Sequence, residues 1–384
     1  MGYRVNSHRC KSDLLIERLN MDARSIELVV NGRFLTQEVT GVQRYGHELL
    51  HAIDRILPSR PGLSVSVVCP VLNGEAPVLK NIPIQQRGRL QGHAWEQFEL
   101  PRFAWGKVLF CPGNTAPAVS LIGGQRVLVT VHDLSYLYFP EAYSRAFRAT
   151  YGFLVPLAFR CADRVVTVSE SERISILKHY PGVGPKIVAI PNGGLANDVL
   201  PKLEGSKRDE GHVLYVGSLS KRKNFPRMLE IACALAKKKG YRFTFVGGTA
   251  GGLVESASHV PEESRELVKF VGQVNDGGQL IELYKKASLF MFPSNYESSG
   301  LPPIEAMACG CPVLTSDIPA LRERCGDAAI YCDPYDTANI TSQIEQLLED
   351  KALLATLSAK GRERAQLFTW NRCAQSTLDL VAPQ

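Results

Sequence analysis

Short apolar segments alternate along the chain with longer segments in which apolar residues recur every three or four positions. The short segments have the length of buried strands, and the longer ones have the period of helices packed on a sheet. The alternation predicts α/β units with parallel strands. The segments predicted as strands are residues 26–30, 65–70, 108–112, 127–131, 163–169, 187–190, 213–217, 243–248, 268–272, 289–292 and 328–331, and a further strand is predicted to open at residues 312–314.

A polar segment with proline and glycine, residues 195–211, divides the alternation into two series. A chain of 384 residues is long for one core and suits two. We therefore predict a first domain over residues 26–200 and a second over residues 201–369. Residues 1–25 form a polar extension, for which disorder or an upstream start codon is the expected explanation.

Two segments of the first series allow alternatives. Residues 141–160 mix arginines with aromatic residues at near-helical spacing, and Pro156 is expected to kink or split that helix. An interfacial surface is the alternative to packing on the sheet. Residues 71–107 are less regular and contain Trp95 and Trp105, which either shape an acceptor pocket or pack in the core.

The distribution of charge narrows the choice of partners. The net charge is +6, and residues 1–200 hold 22 basic against 16 acidic residues, whereas residues 201–384 hold 22 of each. This excess fits an anionic membrane surface or acceptor, and it equally fits an ordinary bias of surface residues. No basic run exceeds three residues, which disfavours nucleic acid as a partner.

The ten cysteines form no CxxC pair and no zinc-ligand spacing. Free thiols without an apolar signal segment favour the reducing cytosol. No run of eighteen apolar residues occurs. We therefore expect a cytoplasmic protein, and peripheral contact with the inner face of the cell membrane is a further hypothesis.

Residues 287–315 form a predicted strand–loop–helix–strand unit that contains Glu297 in the loop and Glu305 in the helix. Backbone N–H groups at the start of such a helix bind anions. A nucleoside diphosphate sugar, with an anionic centre and hydroxyl groups at both ends, fits this arrangement. The alternative is a solvated loop glutamate and an ordinary helix glutamate.

The wider pattern favours a ligand site. Seven residues separate Glu297 from Glu305, and Ala-Met-Ala-x-Gly-x-Pro-Val follows. This combination resembles the signature of the retaining glycosyltransferases of family 4. Their fold class is α/β, with the GT-B arrangement of two Rossmann-like domains whose parallel sheets face a central cleft. The resemblance implies that Glu297 lies beside the donor sugar, that Glu305 binds the ribose, and that residues 370–384 cross back onto the first domain.

The same resemblance points to residues after two other strands. Lys223 matches a lysine of the family pattern, while Ser218 stands at the usual arginine, so Arg222 is the candidate for the missing charge. A solvated basic loop is the alternative. His132 matches a histidine that reaches the donor sugar, although an isolated histidine is more often structural.

The first strand leads into a loop with Gly41, where family members often have two glycines, and then into a helix from Tyr45. Arg44 either contacts an acceptor anion or is a solvated helix residue. The predicted catalytic residues are Glu297, His132, Lys223 and Arg222, and the predicted donor-binding residues are Glu305, Gly217, Ser298, Ser299, Gly300, Leu301 and Gly41.

The resemblance implies retaining transfer of a hexosyl group from a nucleoside diphosphate sugar to a glycan or lipid-linked hydroxyl. The loops Ser-Leu-Ser-Lys-Arg-Lys-Asn and Val-Thr-Gly-Val-Gln-Arg-Tyr resemble those of bacterial polysaccharide mannosyltransferases, which suggests GDP-mannose. No Asp-x-Asp occurs, so neither a metal nor an organic cofactor is expected. A GT-B phosphorylase, a sugar-nucleotide epimerase and a non-catalytic nucleotide-sugar sensor are the alternatives; a sensor would have little reason to keep Glu297 and His132.

Overall fold

The computed structural model describes residues 26–195, 207–248, 260–274 and 276–381. Within these residues the chain forms two parallel sheets covered by helices, which confirms the predicted α/β class. The predicted extension, residues 1–25, and most of the predicted boundary at 195–211 lie outside the described residues.

The first sheet is built from short, largely buried strands, as expected when helices cover both faces. Its strands are β1 (Ile26–Asn31), β2 (Leu63–Cys69), β3 (Ile84–Gln86), β4 (Val108–Cys111), β5 (Val127–Thr130), β6 (Arg164–Thr167) and β7 (Ile187–Ala189). Their order is β3-β2-β1-β4-β5-β6-β7, so the direction of winding reverses between β1 and β4. The accompanying helices are α1 (Gly41–Ile56), α2 (Gly92–Phe98), α3 (Leu100–Ala104), α4 (Ala118–Ile122), α5 (Ser135–Tyr138), α6 (Arg145–Cys161) and α7 (Glu170–His179).

The structure decides the extent of two predicted helices of this part. Helix α1 begins at Gly41 rather than Tyr45, because Thr40 and Gln43 form a capping box that starts the helix earlier. Helix α6 is not split at Pro156. Proline withholds the bond to the carbonyl of Gly152, and Gly152 is exposed, so water can satisfy that carbonyl.

The second sheet repeats the architecture. Its strands are β8 (Asp209–Val216), β9 (Arg242–Val246), β10 (Val268–Gly272), β11 (Ala287–Phe292), β12 (Val313–Ser316) and β13 (Ala329–Cys332). Their order is β10-β9-β8-β11-β12-β13, and the winding reverses between β8 and β11. The helices are α8 (Phe225–Lys239), α9 (Gly277–Lys286), α10 (Leu301–Ala308), α11 (Pro319–Cys325), α12 (Thr337–Glu349), α13 (Lys351–Ala365) and α14 (Trp370–Asp379).

The last helix, α14, packs on α1 rather than on the second sheet. Trp370, Cys373 and Leu378 are buried in the core of the first sheet. The Trp370 indole N–H donates to the carbonyl of Gly194 at 2.8 Å. The end of the chain therefore ties the first core to the segment that follows β7.

Candidate active site

A cleft of about 1170 Å³ lies between the two sheets. Its lining includes residues that follow β1 and β4 in the first sheet and residues that follow β8 and β11 in the second. Ligands of open α/β sheets bind outside the carboxyl ends of the strands, where the winding reverses. Both reversal points thus contribute to one cavity, which is large enough for a nucleotide sugar.

Two glycines allow the backbone to form part of the cleft wall. Gly217 has φ +153° and Gly247 has φ +145°. A Cβ on Gly247 would lie 1.9 Å from the carbonyl oxygen of Gly217, so no side chain fits there. Gly41, the first residue of α1, also lines the cleft, but a Cβ on it would meet nothing, so packing does not require that glycine.

Lys223 and Glu297 form an ion pair at the reversal point of the second sheet. The Lys223 ammonium donates to the Glu297 carboxylate, and their side chains are only 11% and 12% exposed. Burial lowers the pKa of Lys223. Burial would raise the pKa of Glu297, but the attraction of Lys223 outweighs it and holds that pKa below its usual value. Lys223 is therefore not part of a solvated basic loop, and Glu297 stays ionised.

Arg222 lies beside this pair and also lines the cleft. Its backbone carbonyl accepts a hydrogen bond from the Asn295 N–H at 3.2 Å, which joins the loops after β8 and β11. Among the described residues, no carboxylate forms an ion pair with its guanidinium. Because Lys223 and Glu297 compensate one another, Arg222 supplies a further positive charge beside the pair.

The loop before α10 is held by the first half of the chain. The Ser169 hydroxyl donates to the carbonyl of Ser298 at 2.6 Å. The Asn192 amide donates to the Ser299 hydroxyl at 2.8 Å. These contacts fix the loop that carries Glu297 against the first sheet.

Fewer free amides face the cleft than the sequence predicted. The Ser298 N–H donates to the Glu297 carboxylate. Pro302 and Pro303, in the first turn of α10, have no N–H to offer. An anion at this helix start would therefore be met by the N–H groups of Ser299 and Leu301, which line the cleft. Gly300, predicted to bind the donor, lies outside the cleft lining and has the left-handed conformation, at φ +66°.

Glu305 is fully buried in α10, behind the cleft wall. Its Oε1 lies 2.5 Å from Nη2 of Arg44 in α1, and its Oε2 accepts from the Tyr284 hydroxyl at 3.1 Å. The attraction of Glu305 raises the pKa of Arg44. Arg44 also lines the cleft, so contact with an acceptor anion stays a prediction; in addition it covers the carboxylate that the sequence assigned to ribose.

His132 follows β5 and lines the cleft, as the sequence predicted for a residue at this strand end. Its Nε2 donates to the carbonyl of Pro112 at 2.8 Å, and its ring lies edge-on to Tyr45. Burial lowers the pKa of His132. The ring is therefore neutral, with the lone pair on Nδ1.

Sequence reasoning missed a third glutamate near this wall. Glu172 in α7 is buried and accepts from the Leu134 N–H at 3.2 Å and from the Tyr296 hydroxyl at 3.1 Å. Burial raises its pKa to about 7, and the nearby charge of Asp133 adds to the shift. Tyr296 precedes Glu297, so the hydrogen bond from Tyr296 to Glu172 links the first sheet to the loop that carries Glu297. The only feature of the sequence that could have pointed to Glu172 was its position in the first turn of α7.

Two further cleft residues, Arg33 and Glu96, were also missed. Arg33 stands two residues after the end of β1, near a strand end where polar residues signal a ligand site. Glu96 lies in the segment that the sequence left irregular, where α2 brings it to the cleft. In that segment Trp95 is a core residue, whereas Trp105 is exposed and lies outside the cleft lining. Among the described residues, no cluster of three His, Cys, Asp or Glu side chains could hold a metal ion.

Comparisons with known proteins agree with this geometry. The model of the group 1 glycosyl transferases matches residues 198–364, and that of glycosyltransferase family 4 matches residues 39–193. O-antigen chain mannosyltransferase B of Escherichia coli is 29% identical over 268 residues, which are 66% of this chain and 70% of that protein. O-antigen chain mannosyltransferase RfbU of Salmonella typhimurium is 30% identical over 242 residues, 63% of this chain and 65% of that one.

Solved structures share the fold. WaaG, a glycosyltransferase involved in lipopolysaccharide biosynthesis, superposes with a TM-score of 0.68 at 17% identity, over 94% of this chain and 100% of that one. At that identity the likeness establishes the two-sheet GT-B architecture only. The two family models together span most of the chain and meet at the segment between the sheets. The chain belongs to the group 1 glycosyltransferases of the GT-B fold.

Proposed function

We propose that this glycosyltransferase moves a hexosyl group from a nucleoside diphosphate sugar to a hydroxyl of a glycan or lipid-linked acceptor in polysaccharide synthesis, with retention at the anomeric carbon. The observation that carries the proposal is the buried Lys223–Glu297 pair with Arg222 beside it. Burying an ion pair costs desolvation and seldom adds net stability. Its place on the cleft wall supports a role in the reaction.

Charge develops on the diphosphate as its bond to the anomeric carbon breaks. Arg222 and Lys223 lie where they would stabilise that charge, and the N–H groups of Ser299 and Leu301 would add to it. These groups are held in place before the reaction, so little reorganisation is needed. We expect them to provide most of the leaving-group stabilisation.

Glu297 and His132 would act on the sugar. Glu297 is ionised and can stabilise positive character at the anomeric carbon or position a sugar hydroxyl. The neutral His132 ring can accept a hydrogen bond at Nδ1, because its Nε2 already donates to Pro112. Retention of configuration rests on the family resemblance, and NMR of the product anomer tests it.

We expect no metal requirement, because protein cations and backbone amides would meet the diphosphate. Activity should survive treatment with EDTA. Loss of activity with EDTA and its return with Mg²⁺ or Mn²⁺ would show that a metal, and not these residues alone, meets the leaving group.

GDP-mannose is the first donor to test, because the two relatives described above are named as mannosyltransferases. A screen of GDP, UDP and dTDP sugars, with detection of the released nucleoside diphosphate, identifies the donor. Release that depends on inorganic phosphate would favour a phosphorylase, and formation of an epimer without transfer would favour an epimerase. Binding of a nucleotide sugar without any turnover would favour a sensor.

We further propose contact with an anionic membrane that holds a lipid-linked acceptor. Among the described residues, no helix has both the length and the apolar character needed to cross a membrane. The first half of the chain has an excess of basic residues, and it also exposes large apolar side chains: Phe98, Trp105, Ile122 and Phe153 are each at least 54% exposed. Binding to anionic vesicles should weaken as salt rises, since charges are screened over about 8–10 Å. Absence of binding would refute this contact.

A further inference from the structure

One carboxylate lies between the two loops whose side chains would act on the sugar. Glu172, the third residue of α7, is only 3% exposed. Its Oε1 accepts from the Leu134 N–H at 3.2 Å, and its Oε2 accepts from the Tyr296 hydroxyl at 3.1 Å. Leu134 stands two residues after His132, in the loop that follows β5. Tyr296 directly precedes Glu297, so each oxygen of Glu172 holds one of the two loops.

The start of α7 leaves this side chain available. Residues Ser169 to Glu172 have the pattern Ser-x-x-Glu, in which the glutamate of a capping box would bind back to the helix end. The Ser169 hydroxyl does accept from the Glu172 N–H at 3.1 Å, but the Glu172 carboxylate is turned towards the two loops. The carboxylate of Glu323 in α11 accepts from the N–H groups of Glu170 and Ser171, at 2.7 Å each. The helix end is therefore satisfied without the side chain of Glu172.

Tyr296 is the residue at which the second loop reaches the first sheet. Its ring packs against those of Tyr138 and Phe139, with centroids 5.6 and 5.5 Å away. The residue before it, Asn295, is bonded to the loop after β8 instead. Glu297 follows directly, so the side chain of Tyr296 sets how far the backbone of Glu297 lies from the first sheet.

The surroundings of Glu172 make this a costly place for a carboxylate. Both of its hydrogen-bond donors are uncharged. The titratable groups that face it are Asp133, after β5, and the Tyr296 hydroxyl, while Glu323 of α11 lies at the end of its helix. Burial, and then the charge of Asp133, raise the pKa of Glu172 to about 7. An apolar side chain would avoid this desolvation, so the carboxylate is best explained by the two loops that its oxygens hold.

We propose that Glu172 is a positioning residue, which sets the distance between Glu297 and His132 by holding one loop with each oxygen. This inference rests on the proposed function, in which those two side chains act on the same sugar. Glu172 lies outside the cleft lining, so it acts through the loops and does not touch the sugar. A misplacement of about 1 Å between reacting groups can lower a rate about a hundredfold, so we expect an effect on turnover rather than on nucleotide affinity.

The first test uses Tyr296→Phe, which removes the hydroxyl and keeps the ring. The readout is kcat for release of GDP from GDP-mannose, with water or an added sugar as acceptor; another donor of the screen replaces it if the wild type does not use GDP-mannose. We expect kcat to fall about threefold to tenfold, as for the loss of one hydrogen bond. The Kd for the free nucleotide, by calorimetry, should stay the same, because neither Tyr296 nor Glu172 lines the cleft.

Glu172→Ala releases both loops and should lower kcat more, by about tenfold to a hundredfold. In that background Tyr296→Phe should cause no further loss, since the partner of the hydroxyl is already gone. Glu170→Gln is the matched control. Its side chain leaves the same helix turn, is 48% exposed and pairs with Arg173, so it should leave kcat unchanged.

Glu172→Gln gives a readout that a merely structural role would not change. An amide has one acceptor oxygen, so it can accept from the Leu134 N–H but must donate to the oxygen of Tyr296. It therefore resembles protonated Glu172 and not the carboxylate. Because the pKa of Glu172 is about 7, wild type and Glu172→Gln should have nearly equal kcat at pH 6, whereas at pH 8 the wild type should be about threefold to tenfold faster.

Four results would overturn the inference. These are an unchanged kcat in a folded Tyr296→Phe or Glu172→Ala enzyme, additive losses in the double variant, an equal loss in Glu170→Gln, and a ratio of wild-type to Glu172→Gln kcat that is the same at pH 6 and pH 8. A wild type that releases nucleotide from no donor would instead contradict the proposed function itself. The two failures are therefore distinguishable.

Discussion

Two glutamates of one strand–loop–helix unit meet their cations in different ways. Glu297 is paired with Lys223, which follows a strand of the same sheet. Glu305 is paired with Arg44, which comes from a helix of the other sheet. The first pair is built by the second sheet alone. The second pair exists only while the two sheets are held together, so it reports on the closure of the cleft.

The two ion pairs differ in whether a ligand can reach their carboxylates. The Lys223–Glu297 pair lines the cleft and is formed by two loops of the second sheet. Glu305 is covered by Arg44, so a ribose can reach it only if Arg44 moves aside. We therefore expect the first pair to affect turnover and the second to affect nucleotide affinity.

Lys223→Ala should have the largest effect. Loss of the cation facing the diphosphate should cost roughly 2–4 kcal/mol of transition-state stabilisation, measured as kcat/KM. It also leaves Glu297 as a buried charge without a partner, which should lower the free energy of unfolding by about 3 kcal/mol or more. Lys221→Ala, the exposed neighbour, is the matched control and should change neither. A well-folded Lys223→Ala enzyme with near-normal kcat/KM would place the diphosphate elsewhere, with Arg222 the next residue to test.

Glu297→Gln keeps the shape of the side chain and removes its charge. Because that charge matters most as positive character develops on the sugar, kcat should fall by about a hundredfold or more. Free nucleoside diphosphate should bind nearly as in the wild type, as checked by calorimetry. If Glu297→Gln abolished nucleotide binding while Glu305→Ala left it intact, the roles of the two glutamates would be the reverse of those proposed.

Glu172 extends the comparison to a buried carboxylate that forms no ion pair with any described residue. Its pKa of about 7 lies above the ordinary 4.5, so its protonated form stabilises the fold. That stability is complete below about pH 4.5 and is lost as pH rises through about 7. Glu172→Gln does not titrate and should gain about 3 kcal/mol over the wild type between pH 4.5 and 8, by urea unfolding. A difference that does not change with pH would show that Glu172 titrates normally.

Glu305→Ala should weaken nucleotide binding and leave kcat nearly unchanged. A charged hydrogen bond to ribose contributes about 1.5–3 kcal/mol, so the Kd for the free nucleotide should rise roughly tenfold to a hundredfold. Tyr284→Phe removes the neutral contact to the same carboxylate and should raise the Kd less. An unchanged Kd in Glu305→Ala would show that the ribose does not bind at Glu305.

The sequence predicted the features that depend on local pattern. Strand ends in a parallel sheet converge on one edge, so Lys223, Glu297 and His132 could be placed near a ligand from their positions after predicted strands. The burial of Lys223 was not predictable in this way, because it depends on Glu297 arriving from another loop. The earlier start of α1 was predictable, since Thr40 followed by Gln43 is a capping signal.

Contacts between the sheets could not be predicted from one sequence. Nothing in the surroundings of Arg44 indicates that its partner is Glu305, because neither residue has a local pattern that specifies the other. The Arg33–Glu96 pair has the same origin: α2 brings a glutamate from a segment without clear periodicity to the end of β1. Such pairs form because elements distant in sequence pack together. Local sequence preferences therefore do not predict which residues will pair.

Arg44→Ala should have the smallest effect and the opposite sign from Glu305→Ala. Glu305 is fully buried, so Arg44→Ala also leaves its carboxylate without a cation and should lower the free energy of unfolding by about 3 kcal/mol; the small effect expected is the one on the Kd, measured where the variant is folded. Removing Arg44 uncovers the carboxylate, and the nucleotide should bind about two- to fivefold more tightly because it no longer competes with the guanidinium. Arg55→Ala, on the same helix but outside the cleft lining, is the matched control and should not alter the Kd. In a Glu305→Ala background the Arg44 substitution should have no further effect, since the covered group is gone. Weaker binding in Arg44→Ala alone would mean that Arg44 holds the nucleotide directly, and Glu305 would then be its anchor rather than the ribose site.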